Sequence, residues 1–337
     1  LHSSILVCRM SRRDPYGYGR ERRGAAAGRR GIRPADPLRQ ADLGNCVKQT
    51  SGIADYHSTV ANVREEFTSW DPLMVLAEEA NRLKLDVHAW CCVFPEGKES
   101  SLLADHPDYE AVEGPEKRRT ESHRLACPTR EAVQDYEAAL YQELIDRYPV
   151  AGVHLDYIRF MDGICFCEVC RESYRRATGG DLLKLAISHW NPQEGQDLDA
   201  WIAWRCDVIP RFVRRIRAAS RAGGKALSAA VFHYYPGGLL DIGQDWEQWA
   251  REDLVDYLFP MNYSRSTAIA AKWTRNNLAT LAAAGGNCRL WEGILRPVGM
   301  SSQRFRQHVE GVLATGVEGV VVFEYPYLTD DDLKMLA

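Results

Sequence analysis

Hydrophobic positions along this chain switch repeatedly between a helical and a strand period. Asp71 and Pro72 read as the N-cap and first turn of a helix that sets Leu73, Leu76, Ala77, Ala80 and Leu83 on one face. The apolar run Leu85 to Phe94 follows and reads as a buried strand. A helix beginning near Thr129 places Val133, Tyr136, Leu140 and Leu144 in one stripe, and Val150 to Phe160 is again a strand. The alternation continues through a helix holding Ile209, Phe212, Val213 and Ile216, which Pro210 is expected to kink, and then strand Ala226 to Phe232. Helix Asp245 to Glu252, strand Leu254 to Tyr263 and a helix over Ala268 to Ala284 that stops at Gly285 and Gly286 come next. Strand Cys288 to Ile294, a helix capped by Ser301 and strand Val317 to Tyr325 close the series.

Strands alternating with helices predict a parallel α/β sheet, and the length of 337 residues suits one TIM (β/α)8 barrel. Six strands are legible, and a seventh fits near Cys46 to Thr50. The strand that should open the barrel falls in the head of the chain and is expected to be missing or irregular. An open doubly wound sheet is the alternative, although no Gly-rich phosphate loop follows any strand.

Charge changes the picture at the head. Residues 1–40 hold ten Arg against three acids, so a net +7 there leaves −11 for the rest of a chain whose total is −4. That stretch has no apolar periodicity, begins with Leu1, and offers only Ile5, Leu6 and Val7 toward a signal-peptide core. It is read as a disordered or artefactual leader in preference to a nucleic-acid arm, which leaves residues 41–337 as a single catalytic domain. No apolar run reaches the roughly 18 residues that span a bilayer, so neither a nucleic acid nor a membrane is the expected partner. Ten Cys in this length are too sparse for a secreted disulfide scaffold and leave the compartment open.

Reactive groups of such barrels collect at the C-terminal ends of the strands. Here those ends carry His88 and Trp90; His154, Asp156, Tyr157 and Arg159; His233, Tyr234 and Tyr235; Asn262 and Tyr263; Trp291 and Glu292; and Glu324 and Tyr325. Aromatic faces beside carboxyl and amide groups suit a sugar, which offers apolar C–H faces ringed by hydroxyls. Strand alternation points Asp156 and His154 into the barrel, opposite Val153 and Leu155. A buried carboxylate needs a partner or a task, and Arg159 is the partner in a purely structural account.

The stretch Val150 to Phe160, together with Gly243-Gln244-Asp245-Trp246 and Phe259-Pro260-Met261-Asn262-Tyr263, resembles the family-10-like glycosyl hydrolases from about Val47 onward. The resemblance implies a TIM barrel acting on an oligo- or polysaccharide, with Asp156 ending strand four and Glu292 ending strand seven. Glycosidases generally use two carboxyl groups, and Asp156 with Glu292 is the expected pair, although Glu324 has an equal formal claim. The other strand-end residues, namely His88, Trp90, His154, Tyr157, Arg159, His233, Asn262, Tyr263, Trp291, Glu324 and Tyr325, are expected to bind substrate. A one-carboxylate mechanism using the substrate's N-acetyl group, oriented by Asn262 or Tyr263, is a variant of this reading.

Cys127, Cys165, Cys167 and Cys170 lie in neighbouring strand-to-helix loops and could complete a tetrahedral structural zinc site. The plan is similar to the zinc site of glycoside hydrolase family 42 beta-galactosidases; free thiols or a disulfide are the alternatives, and catalysis itself calls for no cofactor. Two other functions compete. A metal-dependent amidohydrolase would use His88, His154 and His233, but the His-x-His pair that opens that layout does not occur here. A non-catalytic carbohydrate-binding barrel would keep the aromatic residues without a competent acid pair.

Overall fold

A computed structural model of the protein describes residues 4–9, 43–112, 124–160, 165–185, 187–188, 191–192, 198–323 and 328–336. Eight strands form one parallel sheet: β1 (Ser4–Arg9), β2 (Leu43–Lys48), β3 (Val87–Cys92), β4 (Gly152–Asp156), β5 (Ala226–Val231), β6 (Tyr257–Asn262), β7 (Arg289–Leu295) and β8 (Gly319–Phe323). From β2 to β8 each strand pairs with the next in parallel, which curls the sheet. β1 pairs in parallel with β8, from Ser4 opposite Gly319 to Cys8 opposite Phe323, and with β2, so the strand order is that of a closed ring.

The head is therefore not wholly outside the fold as expected. Ser4–Arg9 is a short apolar, β-branched run that precedes most of the arginines, and averaging it with them hid its strand character. Residues 10–42, which hold most of the expected leader, lie outside the described residues.

The principal helices between strands are α1 (Pro72–Leu83), α2 (Glu131–Arg147), α3 (Glu168–Thr178), α4 (Leu198–Ala222), α5 (Trp246–Arg251), α6 (Thr267–Ala284), α7 (Ser302–Leu313) and α8 (Asp330–Leu336). Their starts follow from capping chemistry. Asp71 accepts from the N–H groups of Leu73 and Met74, Asp245 from Gln248 and Ser301 from Arg304, each satisfying a donor the helix cannot. Pro210 lies inside α4, which runs continuously through it.

Alternation along each strand divides the side chains between two layers. Val87, Ala89 and Cys91, then Val153 and Leu155, then Leu227, Ala229 and Val231 point outward onto the apolar faces of α2 and α4. Leu290, Ile294, Val320 and Val322 do the same beneath α7, through Phe305, Val309 and Val312. The opposite set fills the lumen with Cys46, Trp90, Cys92, Phe259, Trp291, Val321 and Phe323.

A buried ion cluster fastens one end of this sheet. Lys48 Nζ, at the end of β2, lies 2.6 Å from Glu96 Oε1 and 2.9 Å from Glu137 Oε1, and donates to the carbonyls of Cys92 and Val93. All three side chains are fully buried. Burial opposes the ammonium charge, but Glu137 and Glu96 outweigh it and raise Lys48 above its usual range.

Candidate active site at the C-terminal end of the strands

Lumen residues stack in layers according to their position along the strands. The lowest polar layer joins β3, β4 and β5: Ser228 Oγ sits 2.9 Å from His88 Nδ1 and 2.8 Å from His154 Nδ1. Both rings are buried, and desolvation lowers them to about 4 and about 3, so both are neutral near pH 7. Trp90, paired with His154 across β3 and β4, meets it edge-on, while Phe259 stacks on His154 and on Trp291. His88, Trp90, His154 and Trp291 all lie two or more residues short of their strands' ends and form the floor of the lumen, from which the Trp90 indole N–H reaches up to Asp156.

Asp156 is the last residue of β4 and stands one layer higher, 5% exposed. Trp90 Nε1–H donates to its Oδ2 at 3.1 Å, and the Tyr157 N–H donates to its Oδ1 at 2.7 Å. The second bond is made by a backbone reversal: Tyr157 adopts φ +50°, a costly conformation for a bulky residue, which folds its amide back onto the preceding carboxylate. The Arg159 guanidinium lies over the Tyr157 ring at 4.8 Å and over Phe232 at 5.2 Å. Burial raises the Asp156 carboxyl to about 6; Arg159, the Tyr157 amide and Trp90 all pull downward and are outweighed.

Aromatic contacts extend the wall of this site. Phe323 meets Trp90 edge-on at 5.9 Å, and Tyr263, 42% exposed, meets Phe323 at 5.6 Å. His233 packs on Trp273 of α6 at 4.2 Å and on Tyr234 at 4.6 Å, in the segment after β5. Asp156, Trp90, Tyr157, Arg159 and Tyr263 are therefore linked by direct or one-ring contacts at one end of the strands. Glu324 and Tyr325 lie outside the described residues.

Glu292 is not brought to Asp156. It lies in mid-strand between Trp291, which faces the lumen, and Gly293, and shares the outward face of β7 with Leu290 and Ile294. Its surroundings are Asn262, Asn277 and Thr274, close enough to favour the ionised form slightly but without a well-formed hydrogen bond to either carboxylate oxygen. Full burial dominates and lifts the carboxyl to about 8. Asn262 shares this outward face and donates to the Ala270 carbonyl of α6 at 3.1 Å, so it too is removed from the mouth.

Two further residues have roles that the sequence does not assign. Asp55, in the loop after β2, is 6% exposed and held by Arg64 Nε and Gln49 Nε2, each at 2.6 Å; its field and that of Asp156 both act on the Cys46 thiol. Its position inside the family-like segment was the available signal. Gln244 is fully enclosed, accepts from the Phe232 N–H and donates to the Ile158 carbonyl, tying the end of β5 to the turn that carries Arg159. The Gly243 to Trp246 motif is thus scaffold for the site.

Cys127, Cys165, Cys167 and Cys170 are all buried, with their sulfurs within 4.8 Å of one another. This is the single cluster of metal-ligating side chains among the described residues.

The sequence pattern described as glycosyl hydrolase-like 10 matches residues 47–284. The chain belongs to this family. Among curated relatives, glycosyl hydrolase DigH of Escherichia coli K12 is 26% identical over 233 residues, covering 62% of this chain and 51% of its own length. The chain thus spans about half the length of the curated relatives it matches. Among solved structures, the PgaB (BpsB) glycoside hydrolase domain from Bordetella bronchiseptica superposes with a TM-score of 0.62 at 12% identity, covering 87% of this chain and 84% of that one. Alpha-L-fucosidase isoenzyme 2 from Paenibacillus thiaminolyticus gives 0.62 at 15% identity, over 88% and 43%. These neighbours agree with an α/β barrel, and membership of the glycosyl hydrolase-like 10 family agrees with a carbohydrate-active, hydrolase-like protein. No described helix is long and apolar enough to cross a membrane.

Proposed function

We propose that this protein hydrolyses glycosidic bonds of an oligo- or polysaccharide, with Asp156 as general acid at the open end of a complete (β/α)8 barrel whose first strand is Ser4–Arg9. The observation that carries this reading is the environment of Asp156: a strand-end carboxyl lifted to about 6 by burial, oriented by Trp90 and the Tyr157 amide, and flanked by aromatic faces. A carboxyl near 6 is protonated in roughly half of molecules at pH 6 and roughly a tenth at pH 7, which suits donation to a leaving glycosidic oxygen. Tyr157 and Tyr263 supply flat apolar surface for sugar C–H faces, and Arg159 supplies donors for hydroxyls.

The second carboxyl group is not Glu292, whose side chain faces α6. Asp55 and Glu324 are the two candidates. Two tests on aryl glycosides and oligosaccharides separate the roles. Asp156→Asn should cut kcat/KM by roughly 10²- to 10⁴-fold, whereas Glu292→Gln should leave it near the wild-type value. Of Asp55→Asn and Glu324→Gln, the one that matches the Asp156 loss is the partner. Sugar binding with no turnover by the wild type would select a binding barrel, and full activity in Asp156→Asn would remove that residue from the chemistry.

A further inference from the structure

The four cysteines named above come from two loops that flank Asp156. Cys127 ends the excursion after β3, held by its own N–H on the Tyr109 carbonyl at 2.8 Å, while Cys165, Cys167 and Cys170 lie on and just before the start of α3. Cys127 Sγ is 3.4 Å from Cys170 Sγ, 3.6 Å from Cys165 Sγ and 3.5 Å from Cys167 Sγ. A zinc–sulfur bond of about 2.3 Å sets tetrahedral S···S edges of about 3.8 Å. The four sulfurs are therefore gathered at nearly the spacing a tetrahedral ion demands, and far beyond the roughly 2 Å of a disulfide bond.

Polar groups also approach the sulfurs. The Val112 N–H donates to Cys165 Sγ at 3.4 Å, and Thr129 Oγ1 lies 3.2 Å from Cys170 Sγ. Cys167 is the N-cap of the eleven-residue α3, where the helix end favours negative charge. The Arg171 N–H bonds the Cys167 carbonyl at 3.0 Å and the Phe166 N–H the Val112 carbonyl at 2.7 Å, so backbone bonds fix both loops around the sulfurs. Four thiolates around a divalent cation would compensate one another's burial, and the convergence of four sulfurs from two loops on one point is the arrangement such an ion requires.

We propose that Cys127, Cys165, Cys167 and Cys170 bind one zinc ion in a closed tetrahedral site that fastens the loop after β3 to the loop after β4. With four protein ligands there is no open position for water, so the ion is structural. Its effect on the site is mechanical: β4 ends at Asp156, and its return into α3 is anchored by three of the ligands.

The test is metal analysis of chain purified without chelator under reducing conditions from zinc-supplemented cells. The expected result is about one zinc per chain, and four thiols that react with a thiol reagent only after a strong chelator is added. Cys170→Ser should lower the zinc content at least about tenfold, while Cys170→His, which supplies an imidazole nitrogen that zinc also accepts, should retain it. Cys206→Ser, outside the cluster, should match the wild type. Folded wild-type protein holding less than about a tenth of an equivalent, or a disulfide among the four in its intact mass, would overturn the proposal. So would undiminished zinc in Cys170→Ser; if that variant fails to fold, the wild-type stoichiometry and the His variant decide alone. None of these measurements depends on glycosidase activity.

Discussion

Glu292 offers a test of the two-layer reading that needs no substrate. Its carboxyl is buried between β7 and α6 and lifted from an ordinary 4.5 to about 8. Because the folded pKa is raised, the native state keeps its proton while the unfolded chain releases one. Stability is therefore intact below pH 4.5 and is lost progressively as pH rises toward 8. Linkage puts the loss at about 1 kcal/mol at pH 5 and about 3 kcal/mol at pH 7. Glu292→Gln removes the titration and keeps the shape, and its amide can donate to Asn262 Oδ1 or Asn277 Oδ1, neither of which has a well-formed partner among the described residues. Urea unfolding of both proteins at pH 5, 6 and 7 should show the variant's advantage growing by about 2 kcal/mol across that range. A constant offset cancels in this comparison, as do other groups. Parallel pH profiles would mean that Glu292 is ionised in the native state, and the account of its outward, enclosed position would be wrong.

Three further outcomes follow from the same geometry. If Asp156 is the acid, kcat/KM should fall as pH rises through about 6, since the protonated form is the competent one, and Glu292→Gln should not move that limb. Trp90→Phe removes a hydrogen bond that favours the Asp156 carboxylate, so the limb should move upward by on the order of half a unit, read from pH–rate profiles; a downward move would refute the assignment. Lys48→Met leaves Glu96 and Glu137 buried without their cation and should cost about 3–5 kcal/mol in chemical denaturation, whereas a loss within about 1 kcal/mol would show that the cluster relaxes to water.

The periodic elements were legible because each is long enough to declare its own period. The helix starts at Pro72 and after Ser301, and the strands containing Trp90, Asp156 and Trp291, lie where the pattern put them. The family resemblance was legible too, through motifs such as Gly243 to Trp246 whose role is to brace the turn after β4. What failed was depth and facing. Trp291 and Glu292 are adjacent in one strand and cannot both face the lumen, and β7 runs on to Leu295, so neither closes it. The same parity separates Asn262 from Tyr263. His88 and His154 were placed at the mouth although both have strand left above them. Lys48, Glu96 and Glu137 were out of reach for another reason: they are far apart in sequence, and no local pattern marks a buried triad. Ser4–Arg9 was lost by reading composition over forty residues instead of six.

The Ser228 hydroxyl between two imidazoles carries a consequence for how this protein should answer to acid and base. Imidazole ordinarily gains and loses its proton between pH 6 and 7, where a second titration would blur any signal from a carboxyl displaced into that interval. Here both rings are held neutral until the solution is far more acidic. The layer of imidazoles beneath Asp156 is therefore electrically silent across the interval in which Asp156 itself changes charge.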